Sequence, residues 1–270
     1  METSQALHKV PSVIAYPFVE VCVLLGMPPV LTAAATDLWN WKLKDESKPI
    51  SLSNLTSITT MTGTSTEISF HMTPCIMQVL VAPLVMKIFN GPDLMADYNI
   101  SLLKNLLDEI SDAIKDCREV IVNIFLENYN TFGKTCLTVL SICHFSCLSK
   151  VFSSVAKNVD PDIFYHVQRP LLSGFYPENI MLHDTEDFEK PEGWVSSPKG
   201  PSAGQSTIFV LLDNFLGIDH GDVAKEFQEE MIHYMPRQHR HLVLKFKEKL
   251  ITSVRHFIMS KYCLTKINFF

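Results

Sequence analysis

Residues 102–125 constrain the fold more than any other stretch. Leu103, Leu106, Leu107, Ile110, Ile114 and Cys117 recur there at the helical period, with mostly charged or polar residues between them. A helix with one apolar stripe must lay that stripe on another element. The rest of the chain shows no alternation of strands and helices that would build a parallel sheet, and no internal repeat. Helix packed on helix is the arrangement that remains, so the expected fold class is all-α.

Other segments follow the same pattern. Residues 10–40 open with VPSVIAYPFVEVCVLLGMPPVL. Pro17 suits a helix start, and Gly26 ahead of Pro28 and Pro29 suits its end. A second short helix is expected over residues 31–41. Residues 42–67, rich in Ser and Thr, read as an exposed connection. Residues 69–90 are strongly apolar, with Pro74 and Pro83 placed to kink or break a helix. Residues 123–151 are apolar and cysteine-rich, with little periodicity. Pro161 suits the first position of a helix. Residues 176–203 hold four prolines and read as a long surface loop. Helices are expected over 206–216, 223–234 and 240–261, the last with a basic face.

Charge and motifs exclude several functions. The formal net charge is −6 and no basic tract occurs, so nucleic acid is not an expected partner. The first residues lack a charged region followed by an apolar one, so no signal peptide is expected. No uncharged apolar run of the roughly eighteen residues that a membrane span needs was found. The closest is residues 135–149, so no membrane partner is expected. Seven cysteines at irregular spacing, with no CxxC, point to reduced thiols in a cytoplasmic chain. Cys143 and Cys147 could share a helix face, and without partner ligands they read as packing residues. His233, His239 and His241 lack supporting metal-ligand spacing and read as surface or capping residues. No dinucleotide loop, phosphate loop, HExxH or nucleophile elbow is present.

Two segments carry a resemblance. DPDIFYHVQRPLLSGF at 160–175, and GPSAGQSTIFVLLDNFLGI at 200–218 with EEMIHYMPRQHR at 229–240, resemble the haem-pocket segments of the indoleamine 2,3-dioxygenase family. PFVEVCVLLGMPPVL, the pair Asn40–Trp41 and TGTSTEISF extend it over about residues 10–261. The resemblance implies a large helical domain with haem b as cofactor. L-tryptophan or a related indoleamine and O2 would be the partners of a monomer. The indole ring would open to N-formylkynurenine, the entry to the kynurenine pathway. It implies that Phe164 and Tyr165, with Phe70, place aromatic rings over the distal haem face. Arg169 would face the substrate carboxylate. Gly200, Ser202, Ala203 and Gly204 would border the haem, with Ala203 also near substrate and Ser202 within reach of a propionate. The chemistry is coherent: an indole suits an aromatic slot, and a carboxylate suits a guanidinium fork. Read from the residues alone, FYxxxR is two core aromatics and a surface arginine. Ser202 or Ser206 is equally a helix N-cap.

Four departures accompany the resemblance. Pro74 stands where the family has a small polar residue. Residues 106–121 and 153–165 resemble adjoining parts of one family stretch, so 122–152 is an unmatched insertion. The expected organisation is thus 1–121 and 153–270 as two parts of one haem-dioxygenase-like domain, divided by 122–152. The family's small domain is expected to be missing ahead of Met1. The helix bearing its iron-binding histidine is expected to lie beyond Lys261, so no metal ligand is assigned. A competing alignment of SVRHFIMSKY sets His256 one residue past the ligand position, turned by about 100°. Two readings follow: a haem dioxygenase of tryptophan catabolism, or a truncated, inactive relative that acts by binding.

Overall fold

In a computed structural model of the chain, residues 9–125, 159–172, 181–182 and 199–262 are described. The main helices are α1 (Ser12–Leu25), α2 (Ser65–Val81), α3 (Val85–Ala96) and α4 (Ile100–Phe125). They are followed by α5 (Pro161–Ile163), α6 (Thr207–Leu216), α7 (Asp222–Ile232), α8 (Arg237–Lys249) and α9 (Val254–Tyr262). The all-α expectation holds. The strands are short: β1 (Lys9–Val10) pairs in parallel with β4 (Met181–Leu182), and β2 (Trp41–Leu43) pairs antiparallel with β3 (Leu55–Ser57). Residues 126–158, which carry most of the predicted insertion, lie outside the described residues, as do Cys143 and Cys147.

The stripe on α4 is buried as its period requires. Leu103, Leu106, Ile110 and Cys117 join Met77, Val81 and Leu84 in one core. Helix α6 lies at the centre. Ile208, Val210, Leu211, Leu212 and Phe215 are all buried, so it is covered on nearly every side. Val243 and Phe246 of α8 and Val254 and Phe257 of α9 complete the cluster. Arg240, also buried, donates from Nη1 to the Gly26 carbonyl at 2.9 Å and so ties α8 to the end of α1.

Several boundaries differ from expectation. Helix α1 starts at Ser12, with Pro17 inside it, and ends at Gly26 with φ of 65°. Pro17 removes one internal hydrogen bond on a helix whose neighbouring Val13 is exposed. Residues 31–41 form only a π-helical turn, Ala34–Leu38, before β2. Residues 42–67 are more than an exposed connection. They hold the β2–β3 hairpin, and buried Asn54 donates to the carbonyls of Asp45, Lys48 and Pro49. The expected helix over 240–261 breaks after Lys249, where Leu250 takes ψ of 87°.

Helix α2 runs through Pro74, and the chain breaks at Pro83 into a short 3-10 turn, Ala82–Leu84, before α3. The stretch Ser65–Ala96 is long and apolar enough to cross a membrane by length and composition. That corrects the expectation that no such run exists. Here Met72, Ile76, Met77, Val81 and Ile88 are buried against the protein, and a core helix passes the same length test.

Gly91 marks a tight contact between α3 and α6. A Cβ there would lie 2.4 Å from Cε2 of Phe215, whose side chain is fully buried. Gly91→Ala is expected to cost about 1–3 kcal/mol through overpacking. A urea midpoint equal to that of the parent chain would refute this contact.

Candidate functional site

The aromatic element is positioned by a cap and an anchor. Asp160 Oδ1 accepts from the backbone N–H groups of Asp162 and Ile163 at 2.9 and 3.2 Å. The Asp160 N–H donates to Thr66 Oγ1 at 3.0 Å, which pins the segment to the start of α2. After α5 the backbone widens into a π-helical turn, Phe164–Gln168, and tightens into a 3-10 turn, Arg169–Leu172. Phe164 then meets Phe70 of α2, with ring centroids 4.9 Å apart. Tyr165 stands edge-on to Phe164 at 5.5 Å, and the Arg169 guanidinium lies 5.2 Å from the Tyr165 ring centroid. The structure thus brings Phe70, Phe164, Tyr165 and Arg169 together, all half-buried. Arg169 has no acidic partner among the described residues.

The glycine-rich loop is built separately. Ser202 accepts from the Gly204 N–H at 3.2 Å and caps the short turn Ala203–Gln205. A Cβ on Gly204 would lie 3.1 Å from Met231 Cγ, so its smallness serves contact with α7. Ala203 is exposed and Gly200 is buried. Buried Gln205 holds the loop shut: its Nε2 donates to the Gly200 carbonyl at 2.9 Å, and its Oε1 accepts from the Ala33 N–H at 2.8 Å.

Ala33 leads into the π-helical turn Ala34–Leu38, and that turn reaches α2. Asp37 Oδ1 lies 2.8 Å from His71 Nδ1, with the two side chains 14% and 3% exposed. His71 directly follows Phe70, and their rings are edge-on at 5.2 Å. The His71 Nε2 is buried with no hydrogen-bond partner, as are both amide atoms of Gln168, one turn on from Phe164. The Asp37–His71 pair therefore joins the loop side of the site to the aromatic side. Sequence reasoning missed Asp37, His71, Gln168 and Gln205. The signal for His71 was a polar ring inside an apolar helix.

Comparison with known proteins decides the family. The sequence model of indoleamine 2,3-dioxygenase matches residues 1–132 and 126–267. This chain belongs to the indoleamine 2,3-dioxygenase family. It is 28% identical over 263 residues to indoleamine 2,3-dioxygenase 1 of Mus musculus, covering 93% of this chain and 54% of that protein. It is 26% identical to indoleamine 2,3-dioxygenase of Saccharomyces cerevisiae, covering 92% and 51%. It is 27% identical to a 6-hydroxytryptophan 2,3-dioxygenase of Fusarium equiseti, covering 93% and 54%. The chain spans about half the length of these curated relatives.

Within this family member, other candidate groups have ordinary surroundings. His256 is exposed and its Nδ1 lies 3.1 Å from Ser253 Oγ. His233 and His241 are exposed, as expected. His239 differs from the surface reading: it is half-buried, 3.0 Å from Thr207 Oγ1, and burial lowers its pKa. Among the described residues no three His, Cys, Asp or Glu side chains are grouped to hold a metal ion. Cys22, Cys75 and Cys117 are free thiols pushed up to about 11 by burial, which leaves them poor nucleophiles. An apolar cavity of about 470 Å³ opens between α2 and α6, with Leu38, Trp41, Cys75, Met86 and Ile208 in its wall. None of the residues assigned by resemblance lines it.

The start of α2 rests on Glu67. Thr64 accepts from the Glu67 N–H at 3.2 Å, and the Glu67 carboxylate accepts from the Met61 and Thr62 N–H groups, each at 2.7 Å. Burial pushes the carboxyl pKa up, but these donors and the Thr62 hydroxyl outweigh it, so the pKa falls below its ordinary 4.5. A depressed folded-state pKa contributes stability above 4.5 that is lost as pH falls through the folded value. Glu67→Gln is expected to cost about 2 kcal/mol at neutral pH and to flatten the acid side of the stability profile. An unchanged acid limb in denaturation measured against pH would contradict this account.

Proposed function

We propose that this chain is part of a haem-dependent dioxygenase that adds both atoms of O2 across the C2–C3 bond of an indole. Tryptophan would open to N-formylkynurenine, in tryptophan catabolism by the kynurenine route. The observation that carries this reading is the cluster of Phe70, Phe164 and Tyr165 with the Arg169 guanidinium beside it. Three half-buried aromatic faces suit a planar bicyclic ring. A guanidinium without an acidic partner among the described residues suits an amino-acid carboxylate. Ring-hydroxylated tryptophans belong to the same substrate class, in line with the name of the Fusarium relative.

Haem, when bound, supplies the oxygen chemistry. The residues fit a flat cofactor in kind: the aromatic rings of Phe70, Phe164 and Tyr165, and a separate loop of small residues that carries the half-buried Ser202 hydroxyl. Phe70, Phe164 and Tyr165 would exclude water and orient the ring. Arg169 would leave its stack on Tyr165 to hold the carboxylate. Ser202 would donate its hydroxyl proton to a haem propionate. Free buried thiols support a cytoplasmic protein, and we take it to act as a monomer. A second reading, ligand binding without catalysis, is favoured by the exposed setting of His256 and by Gly204 facing α7 rather than a ligand.

Hemin titration of the chain separates the two. A saturable one-to-one Soret band, with a histidine-type spectrum after reduction and CO addition, is expected for the dioxygenase. Weak, non-saturating binding would leave the binding-protein reading. In the hemin-loaded chain, Arg169→Ala is expected to weaken tryptophan binding about tenfold or more, as loss of a charge-assisted contact does. Unchanged affinity would remove Arg169 from the site.

A further inference from the structure

We propose that His71, held by Asp37, accepts a hydrogen bond from a donor carried on the ring of a bound aromatic ligand, and that this contact sets which aromatics the site takes. The inference rests on the reading of the site as an indole pocket and deepens it.

An ionised carboxylate can only accept, so Asp37 Oδ1 at 2.8 Å places a proton on His71 Nδ1. In the neutral imidazole the lone pair is then on Nε2. That atom is buried and has no donor, and an unmet acceptor away from water is costly. Buried polar atoms without partners are few in folded proteins, and each asks for a cause. Such atoms also occur at Ser57, Ser206, Asp213 and His220; His71 and Gln168 are the two residues with them that adjoin the Phe70–Phe164 pair in the chain, His71 next to Phe70 and Gln168 one turn on from Phe164. The pair is rigid as well as unmet. Asp37 sits on a π-helical turn whose entry is fastened to Gln205, and Phe70 packs edge-on against the imidazole.

The volume lies nearby. Cys75, one turn along α2 from His71, and Leu38, next to Asp37, both line the 470 Å³ cavity. His71 itself is not in the wall of that cavity, but chain neighbours of both His71 and Asp37 are. A lone acceptor in an apolar, aromatic setting discriminates strongly, because a ligand lacking the matching donor leaves the acceptor unpaired. On an indole two groups can serve: the ring N–H or a ring hydroxyl.

The test uses the hemin-loaded full chain and equilibrium binding of three probes: L-tryptophan, its benzothiophene analogue, in which sulfur replaces the ring N–H, and 6-hydroxy-L-tryptophan. If the N–H is the donor, tryptophan is expected to bind about tenfold tighter than the sulfur analogue. If a hydroxyl is the donor, those two bind alike and the hydroxylated probe binds about tenfold tighter. In either case His71→Phe, which keeps the ring stack on Phe70, is expected to abolish the difference. Asp37→Asn offers a second route that leaves His71 in place. The neutral amide no longer fixes the proton on Nδ1, since its Nδ2 offers a donor there as well as its Oδ1 an acceptor, and is expected to weaken the preference. Imidazole ¹⁵N shifts of the parent chain give a variant-free check: Nε2 should respond to the preferred probe and not to the other. Equal binding of all three probes, or discrimination that survives His71→Phe, overturns this inference alone. Binding of none of the probes overturns the indole-pocket reading and this inference with it.

Discussion

Burial of α6 on nearly all sides is the constraint on which the rest of the structure depends. Its apolar residues leave no face for solvent, so α3, α8 and α9 must surround it and α4 must close the layer beyond. The contact is close enough that α3 needs Gly91 where Phe215 passes. The short turn that starts α6 carries the loop of Gly200 to Gly204, so the same packing that completes the core also delivers the loop.

Polar groups inside this apolar frame fall into two kinds. Some are fully satisfied and structural: Asn54 in its hairpin loop, Glu67 at the start of α2, Gln205 across the loop. His71 is held by Asp37 but keeps Nε2 without a partner, and buried Gln168 keeps both amide atoms without one. Glu67 and His71 lie one turn apart on the same helix and are both nearly sealed from water, yet only the first has its polar atoms met.

Pro74 shows how α2 accommodates a proline in its interior. It supplies no N–H to the Phe70 carbonyl, and α2 nevertheless continues, because Thr73 and its neighbours are packed into the core and Thr73 Oγ1 donates to the Ser69 carbonyl at 2.7 Å. The site residue at Phe70 therefore sits on backbone loosened by proline and steadied by tertiary contact.

The helical class, the long stripe of α4, the Gly26 stop, the Pro161 start and the family likeness of residues 160–175 and 200–218 were all legible in the sequence. Each is encoded by residues close together in the chain: a period, a cap, a turn or a motif. Phe70 beside Phe164 was legible only through the resemblance. The passage of α1 and α2 through proline, the β2–β3 hairpin in a Ser- and Thr-rich stretch, and the break after Lys249 were decided by tertiary structure. There, burial outweighs local propensity. The same holds for the Asp37–His71 pair and for Gly204 turned toward Met231. Nothing near Asp37 in the chain announces a histidine thirty-four residues away, and the role of a small residue depends on what packs against it. Periodicity could specify which faces are apolar; only the folded chain could choose which polar atoms those faces enclose.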